Sequence, residues 1–187
     1  MKQEPICYEL VSTDFGPVAI VWWKGRLGPR IRQVFLGMGR KRPEAAVRKS
    51  YPQATRLSVP AIADLGRKFQ RFLGGEAITF DLETVALEVC GKFQRRVLLA
   101  EYGIPRGRVS TYGRIAKRVG AGSAARAVGN ALAGNPFPII IPCHRAVRSD
   151  GSIGGYQGGA AMKRALLAME GVEFARSGKV LMRRVHY

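Results

Sequence analysis

The chain has 187 residues, 47% of them hydrophobic, which allows one or two packed cores and excludes global disorder. Thirty-one Lys and Arg against thirteen Asp and Glu give a net charge of +18. No apolar run is long enough to span a bilayer and no signal-peptide core follows Met1, so a cytoplasmic protein is expected.

The charge is uneven. Residues 1–90 carry fourteen basic and nine acidic side chains, a net +5, and residues 91–187 carry seventeen and four, a net +13. Such a field favours a polyanion, nucleic acid foremost, although a host with a basic proteome would give the same excess. The three cysteines, Cys7, Cys90 and Cys143, are odd in number and widely spaced, so no disulfide framework is expected. With His144 and His186 they lack the spacing of a zinc site, and no metal is predicted.

In chain order, residues 6–23 read as two strands joined by a turn at Asp14–Pro17, and "IRQVFLG" reads as a third strand. Residues 43–51 have helical composition, with Pro43 at a first helical position. Over 60–73, Ile62, Leu65, Phe69, Phe72 and Leu73 share one helical face, and "AITFDL" (77–82) reads as a short strand. Trp22 and Trp23 suit core or interdomain packing. Nothing in this part looks catalytic.

A helix is predicted over 92–102, with Phe93, Val97 and Leu98 inward. "STYGRIAKRVG" starts on the capping residues Ser110 or Thr111 and spaces Ile115, Ala116 and Val119 helically. A turn at Gly120–Gly122 leads to Ser123, expected to cap the helix "AARAVGNALAG". Two short helices about a glycine turn form a helix-turn-helix pattern, which any helical hairpin also fits. The second helix presents Ala124, Ala125, Ala127, Gly129, Ala131 and Ala133, with Arg126 its one long charged side chain. Such a smooth helix suits shape-based docking in a minor groove, or tight packing against another helix.

"IIIPCHRAV" (139–147) reads as a buried strand stopped by Pro142, with Cys143 beside His144. A cysteine attacks as a thiolate, and a neighbouring histidine in a positive field is expected to lower its pKa. The same letters fit a small buried apolar residue beside an ordinary polar one. A glycine-rich loop around Tyr156 follows, then an amphipathic helix with Met162, Leu166 and Met169 on one face. It ends at Glu170, a carboxylate where the helix dipole disfavours one, which suggests a specific partner; His144 is the expected one.

These stretches, "VSTYGRIAKRVGAGSAARAVGNALAGNPFPIIIPCHRAVRSDGSIGGYQGG" followed by "MKRALLAMEGV", closely resemble the O6-alkylguanine-DNA alkyltransferases, the methylated-DNA–protein-cysteine methyltransferases. The match runs from about residue 93 to 172. "TDFGPVAIV" and "FLGGEAITFDL" resemble the family's variable N-terminal domain more loosely. The resemblance implies an α+β fold: a small N-terminal domain (1–88) with an antiparallel sheet, and a mostly helical C-terminal domain (89–187) holding the helix-turn-helix and the cysteine.

The resemblance also implies repair by direct reversal on double-stranded DNA, by a cytoplasmic, nucleoid-associated monomer without a cofactor. The helix-turn-helix, through Thr111, Ala124, Ala125, Ala127 and Gly129, enters the minor groove. The alkylated guanine turns out of the duplex and Arg126 fills its place. Tyr112 assists the rotation and donates a proton to the leaving guanine; Asn135 braces the two halves of the site. Glu170 orients His144, which takes the Cys143 proton through a water. Cys143 keeps the alkyl group, so each molecule reacts once. Cys143 and Ala146 carbonyls, amides near Tyr156 and Gln157, and Pro138 shape the base pocket, backed by Phe93 to Val97. Repair of O4-alkylthymine is left open.

The chain departs from the family at Leu98 and Glu101, where Trp and Leu are usual; Glu101 is expected to face a nearby arginine. Gln157 stands where smaller residues are common, which bears on the size of alkyl group accepted. Arg145 is expected to tie the two domains together. Two other readings remain. A non-enzymatic lesion binder or helix-turn-helix regulator would not need Cys143, His144 and Glu170 together. A Cys-His hydrolase would turn over many times.

Overall fold

The computed structural model describes residues 5–37, 42–183 and 185–187. Their contacts divide them into two units. One runs through Val89 and includes Pro136–Pro138; the other comprises Cys90–Asn135 and Ile139–Tyr187.

In the first unit, strands β1 (Ile6–Val11), β2 (Val18–Gly25) and β3 (Gly28–Leu36) form an antiparallel meander. The short β4 (Thr55–Arg56) adds in parallel beside β1, so the sheet order is β3-β2-β1-β4 and the sheet is mixed. Val18 to Trp22 are all buried, as befits a strand covered on both faces. Helix α1 (Pro43–Ser50) covers one face, packing Val47 with Tyr8, Ala19 and Val21. Helix α2 (Pro60–Leu73) covers the other through Ile62, Gly66, Phe69 and Phe72. A Cβ at Gly66 would lie 3.0 Å from Val11 Cγ2, so the small residue lets α2 approach β1 closely. Leu65 is only half-buried at the edge of that stripe. Trp22 is core, its indole donating to the Leu57 carbonyl (3.2 Å), and Trp23 is half-buried under Arg32.

Residues 77–82, expected as a strand, join no ladder. The segment contributes Phe80, whose ring packs 5.2 Å from Phe69 and 5.7 Å from Phe72. Its alternating pattern is met by aromatic burial rather than by pairing.

In the second unit, helix α3 (Lys92–Tyr102) packs with α4 (Tyr112–Arg118) and α5 (Ala125–Ala133). Two-residue strands β5 (Ser110–Thr111) and β6 (Ala146–Val147) pair in parallel, and α6 (Gly159–Met169) follows. Val109, Val147, Leu167, Val172 and Val180 form one core cluster. Thr111 caps α4, its hydroxyl oxygen accepting from the Arg114 amide (3.2 Å). Ser123 does not cap α5: the cap position is Ala124 and no side chain bonds there. That start is held instead by backbone bonds such as Val128 N–H to the Ala124 carbonyl.

Ile139–Ile141 are buried as expected but form no strand. Ile139 has φ +75, a region that β-branched residues avoid, and the chain turns there. Three apolar residues between prolines thus build a buried turn leading to Cys143. Among the described residues no helix is long and apolar enough to cross a membrane.

Candidate active site

Cys143 opens a 3-10 turn (Cys143–Arg145) between the buried isoleucine turn and β6. A cavity of about 550 Å³ reaches its thiol. Tyr112 from α4, Arg126, Gly129, Asn130 and Leu132 from α5, and Arg148, Gly154, Tyr156 and Gln157 from the following loop line it. The helix expected to meet DNA is therefore one wall of the cavity holding the thiol.

Cys143 is buried, and burial pushes its pKa up to about 12. The Asn135 side-chain hydrogen bond and the Lys163 charge pull it down but do not win. This corrects the expectation of a depressed value: desolvation of the thiolate outweighs the positive surroundings. At rest the group is a thiol, and it needs a base. Asn135 is buried as well, and its Nδ2 donates to the Ile141 carbonyl (3.1 Å), fixing the turn that delivers Cys143.

His144 and Glu170 meet as expected, with Nε2 3.0 Å from Oε1, both side chains fully enclosed. Burial raises the Glu170 carboxyl, yet hydrogen bonds from His144 and Arg145 overcome it and hold the value near 2. An ionised carboxylate only accepts, so Nε2 carries the hydrogen and Nδ1 the lone pair. Burial lowers the His144 pKa more than Glu170 raises it, leaving a neutral imidazole able to take a proton.

Arg145 departs from expectation. Its Nε donates to Glu170 Oε2 (2.8 Å), Nη2 to Glu170 Oε1 (2.7 Å) and Nη1 to the Ile104 carbonyl (2.5 Å), all inside the second unit. It braces the glutamate within that unit, the buried carboxylate accepting the guanidinium fork.

Tyr112 is the first residue of α4, and burial pushes its hydroxyl up to about 12, so it stays a donor. Gly154, at φ +69, passes so close that a Cβ there would lie 2.7 Å from the Tyr112 hydroxyl. Tyr156 stands edge-on to His144, ring centroids 6.2 Å apart, its hydroxyl enclosed. Gln157 donates through Nε2 to the Asn135 carbonyl (2.7 Å), tying the glycine-rich loop to the end of α5.

Of the residues expected at a DNA surface, Arg126 and Ala127 are exposed, Ala124, Ala125 and Gly129 are half-buried, and Thr111 is buried as a cap. Ala146 and Pro138 do not line the cavity; the Ala146 carbonyl accepts from Lys163 Nζ (2.6 Å), and Pro138 belongs to the first unit. Nor do residues 93–97. Phe93 is half-buried, and Gln94 holds α5 through the Ala131 and Gly134 carbonyls. Met169 is half-buried too; the buried stripe of α6 is Met162, Lys163, Leu166 and Leu167.

Lys163 went unread in the sequence. It is fully buried, and Nζ donates to Ala146 O, Gly155 O (3.2 Å) and Tyr112 Oη (3.5 Å). The signal was its place between Met162 and Leu166, inside the apolar stripe. Glu101 is also fully buried; no arginine bonds it, and neither carboxylate oxygen has a hydrogen-bond partner. Among the described residues no cluster of His, Cys, Asp or Glu could hold a metal.

Residues 92–172 match the family described as "6-O-methylguanine DNA methyltransferase, DNA binding domain". A methylated-DNA–protein-cysteine methyltransferase from Methanothermobacter thermautotrophicus is 48% identical over 112 residues, 60% of this chain and 62% of its own length, so the match spans less than two thirds of that relative. One from Mycolicibacterium paratuberculosis is 42% identical over 66% of this chain and 71% of its own. The crystal structure of Mycobacterium tuberculosis OGT in complex with DNA superposes with a TM-score of 0.70 at 32% identity, covering 88% of this chain and 92% of that one. The α+β architecture, the order of its motifs and these likenesses agree: the chain belongs to the methylated-DNA–protein-cysteine methyltransferase family.

Proposed function

We propose that the protein repairs DNA by moving the alkyl group of O6-alkylguanine in a duplex to Sγ of Cys143, once per molecule. The names of its relatives support alkyl transfer, and the structure of a relative bound to DNA supports DNA as the partner. The observation that carries the reading is the shared cavity: one pocket reaches the Cys143 thiol and is walled by α5 and Arg126.

In the proposed step the Cys143 proton passes through a water to His144 Nδ1. The Sγ–carbon bond then forms as the carbon–O6 bond breaks. The bonding pair leaves with guanine, which takes the Tyr112 proton. The +18 charge gives α5 sequence-tolerant, salt-dependent access to the minor groove, where a side chain read against base edges would hinder scanning. Base extrusion exposes the alkyl carbon, at a cost of a few kcal/mol, and Arg126 fills the gap. In this reading residues 1–88 form the N-terminal domain and 89–187 the DNA-binding and transfer domain, acting as a monomer without a cofactor.

The test is duplex DNA carrying one O6-methylguanine. Intact guanine returns, and the methyl group maps to the Cys143 peptide. Cys143→Ser still binds the duplex and restores nothing; repair that persists in that variant contradicts the reading.

A further inference from the structure

Glu101 and Lys163 are buried groups of opposite type that form no ion pair with each other among the described residues. They differ in how they are satisfied. Lys163 Nζ has three donors and three oxygen acceptors, so its ammonium form is served. The Glu101 oxygens have no hydrogen-bond donor, so its carboxylate form is not. The Ala146 backbone lowers its pKa, the least of the effects on it, while burial, the largest, raises it. The charged and titratable groups around Glu101 are Lys163 from α6, Arg145 and Cys143 from the 3-10 turn, Tyr112 from α4, and Tyr187 from the C-terminal segment.

We infer that Glu101 is a positioning residue that stays protonated in the working protein, leaving the Lys163 ammonium as an uncompensated positive charge beside Cys143 and Tyr112. The inference rests on the reading of Cys143 as alkyl acceptor. An unpaired carboxylate in an apolar interior costs more than the neutral acid, and burial holds Glu101 up to about 8. Burial also draws Lys163 down to about 8. Below that pH the pair carries one net positive charge, which favours the thiolate. As Glu101 ionises it opposes the thiolate, since its charge raises the Cys143 pKa while that of Lys163 lowers it. Glu101 thereby sets an alkaline ceiling on the nucleophile. A residue in a merely structural role would set none.

The experiment follows the rate of Cys143 alkylation against pH in the full chain, for the unaltered protein, Glu101→Gln and Glu101→Leu. Two reagents are used: iodoacetamide, mapped by peptide mass, and duplex DNA carrying O6-methylguanine. With iodoacetamide the variants match the unaltered protein near neutral pH and outpace it by roughly tenfold above about pH 8, as ionised Glu101 holds its thiol back. A variant-to-parent ratio that does not change with pH overturns the inference. Loss of DNA transfer with the iodoacetamide profile intact overturns only the alkyltransferase reading. Glu101→Leu, with an apolar side chain in a buried place, keeps the comparison available if Gln packs poorly.

Discussion

Arg145 grips Glu170 with two parallel contacts, Nε to Oε2 at 2.8 Å and Nη2 to Oε1 at 2.7 Å, while His144 Nε2 shares Oε1 at 3.0 Å. One buried carboxylate thus receives a guanidinium fork and an imidazole. Removing one partner of a buried pair leaves the other charge exposed to an apolar surrounding. Arg145→Gln should therefore cost about 3–5 kcal/mol of stability in chemical denaturation. Arg145→Lys restores the charge but not the fork. It should recover part of the stability and still transfer alkyl groups roughly tenfold or more slowly, because His144 is held less firmly.

Glu170 also fixes an acid limit. Its folded value, near 2, lies below the ordinary 4.5. The stability it contributes is therefore complete above about pH 4.5 and is lost as pH falls through 2. Glu170→Gln should flatten that part of the stability–pH curve, measured by denaturant midpoint, and abolish most alkyl transfer at neutral pH.

Glu101 has the opposite sign. Its folded value, about 8, lies above the ordinary 4.5, so the folded state holds a proton the unfolded chain has lost. Stability should fall as pH rises from about 4.5 to 8, by on the order of a few kcal/mol. Lys163, lowered from 10.5 to about 8, restores stability as pH rises further, so the pair places a minimum near pH 8. Glu101→Leu should remove the falling limb; an unchanged curve would show that the carboxyl titrates normally.

Gly154→Ala tests the packing of the cavity. Its Cβ would meet the Tyr112 hydroxyl at 2.7 Å from a backbone at φ +69. The variant should lose about 1–3 kcal/mol of stability and slow transfer with both duplex and single-stranded alkylated DNA.

Arg126→Ala tests the reading of α5. Arg126 is exposed, so folding should be unaffected within about 0.5 kcal/mol. Transfer from duplex DNA should slow by roughly tenfold or more, and transfer from single strands much less, since only the duplex must release a stacked base.

Periodicity made the helices legible: Ile62 and Phe69, or Ile115 and Val119, mark one face at helical spacing and are buried there. The Glu170–His144 contact was legible from chemistry, because a carboxylate at a helix C-terminus asks for a partner. The isoleucine turn was not, since Ile139–Ile141 read alike as buried strand or buried turn until φ at Ile139 is known. Lys163 was not legible because its acceptors, Ala146, Gly155 and Tyr112, come from three other stretches of the chain. Arg145 was misread for the same reason: its fork meets a carboxylate that arrives only when α6 packs. The depressed thiol expected at Cys143 failed because sequence displays neighbouring charge but not burial.

The most direct test is the intact mass of the protein after incubation with excess duplex DNA carrying O6-methylguanine. The account predicts one methyl group added per folded molecule, complete and never exceeded, absent in Cys143→Ser. Unchanged mass in folded protein that binds the duplex, or guanine restored many times per molecule, would contradict it.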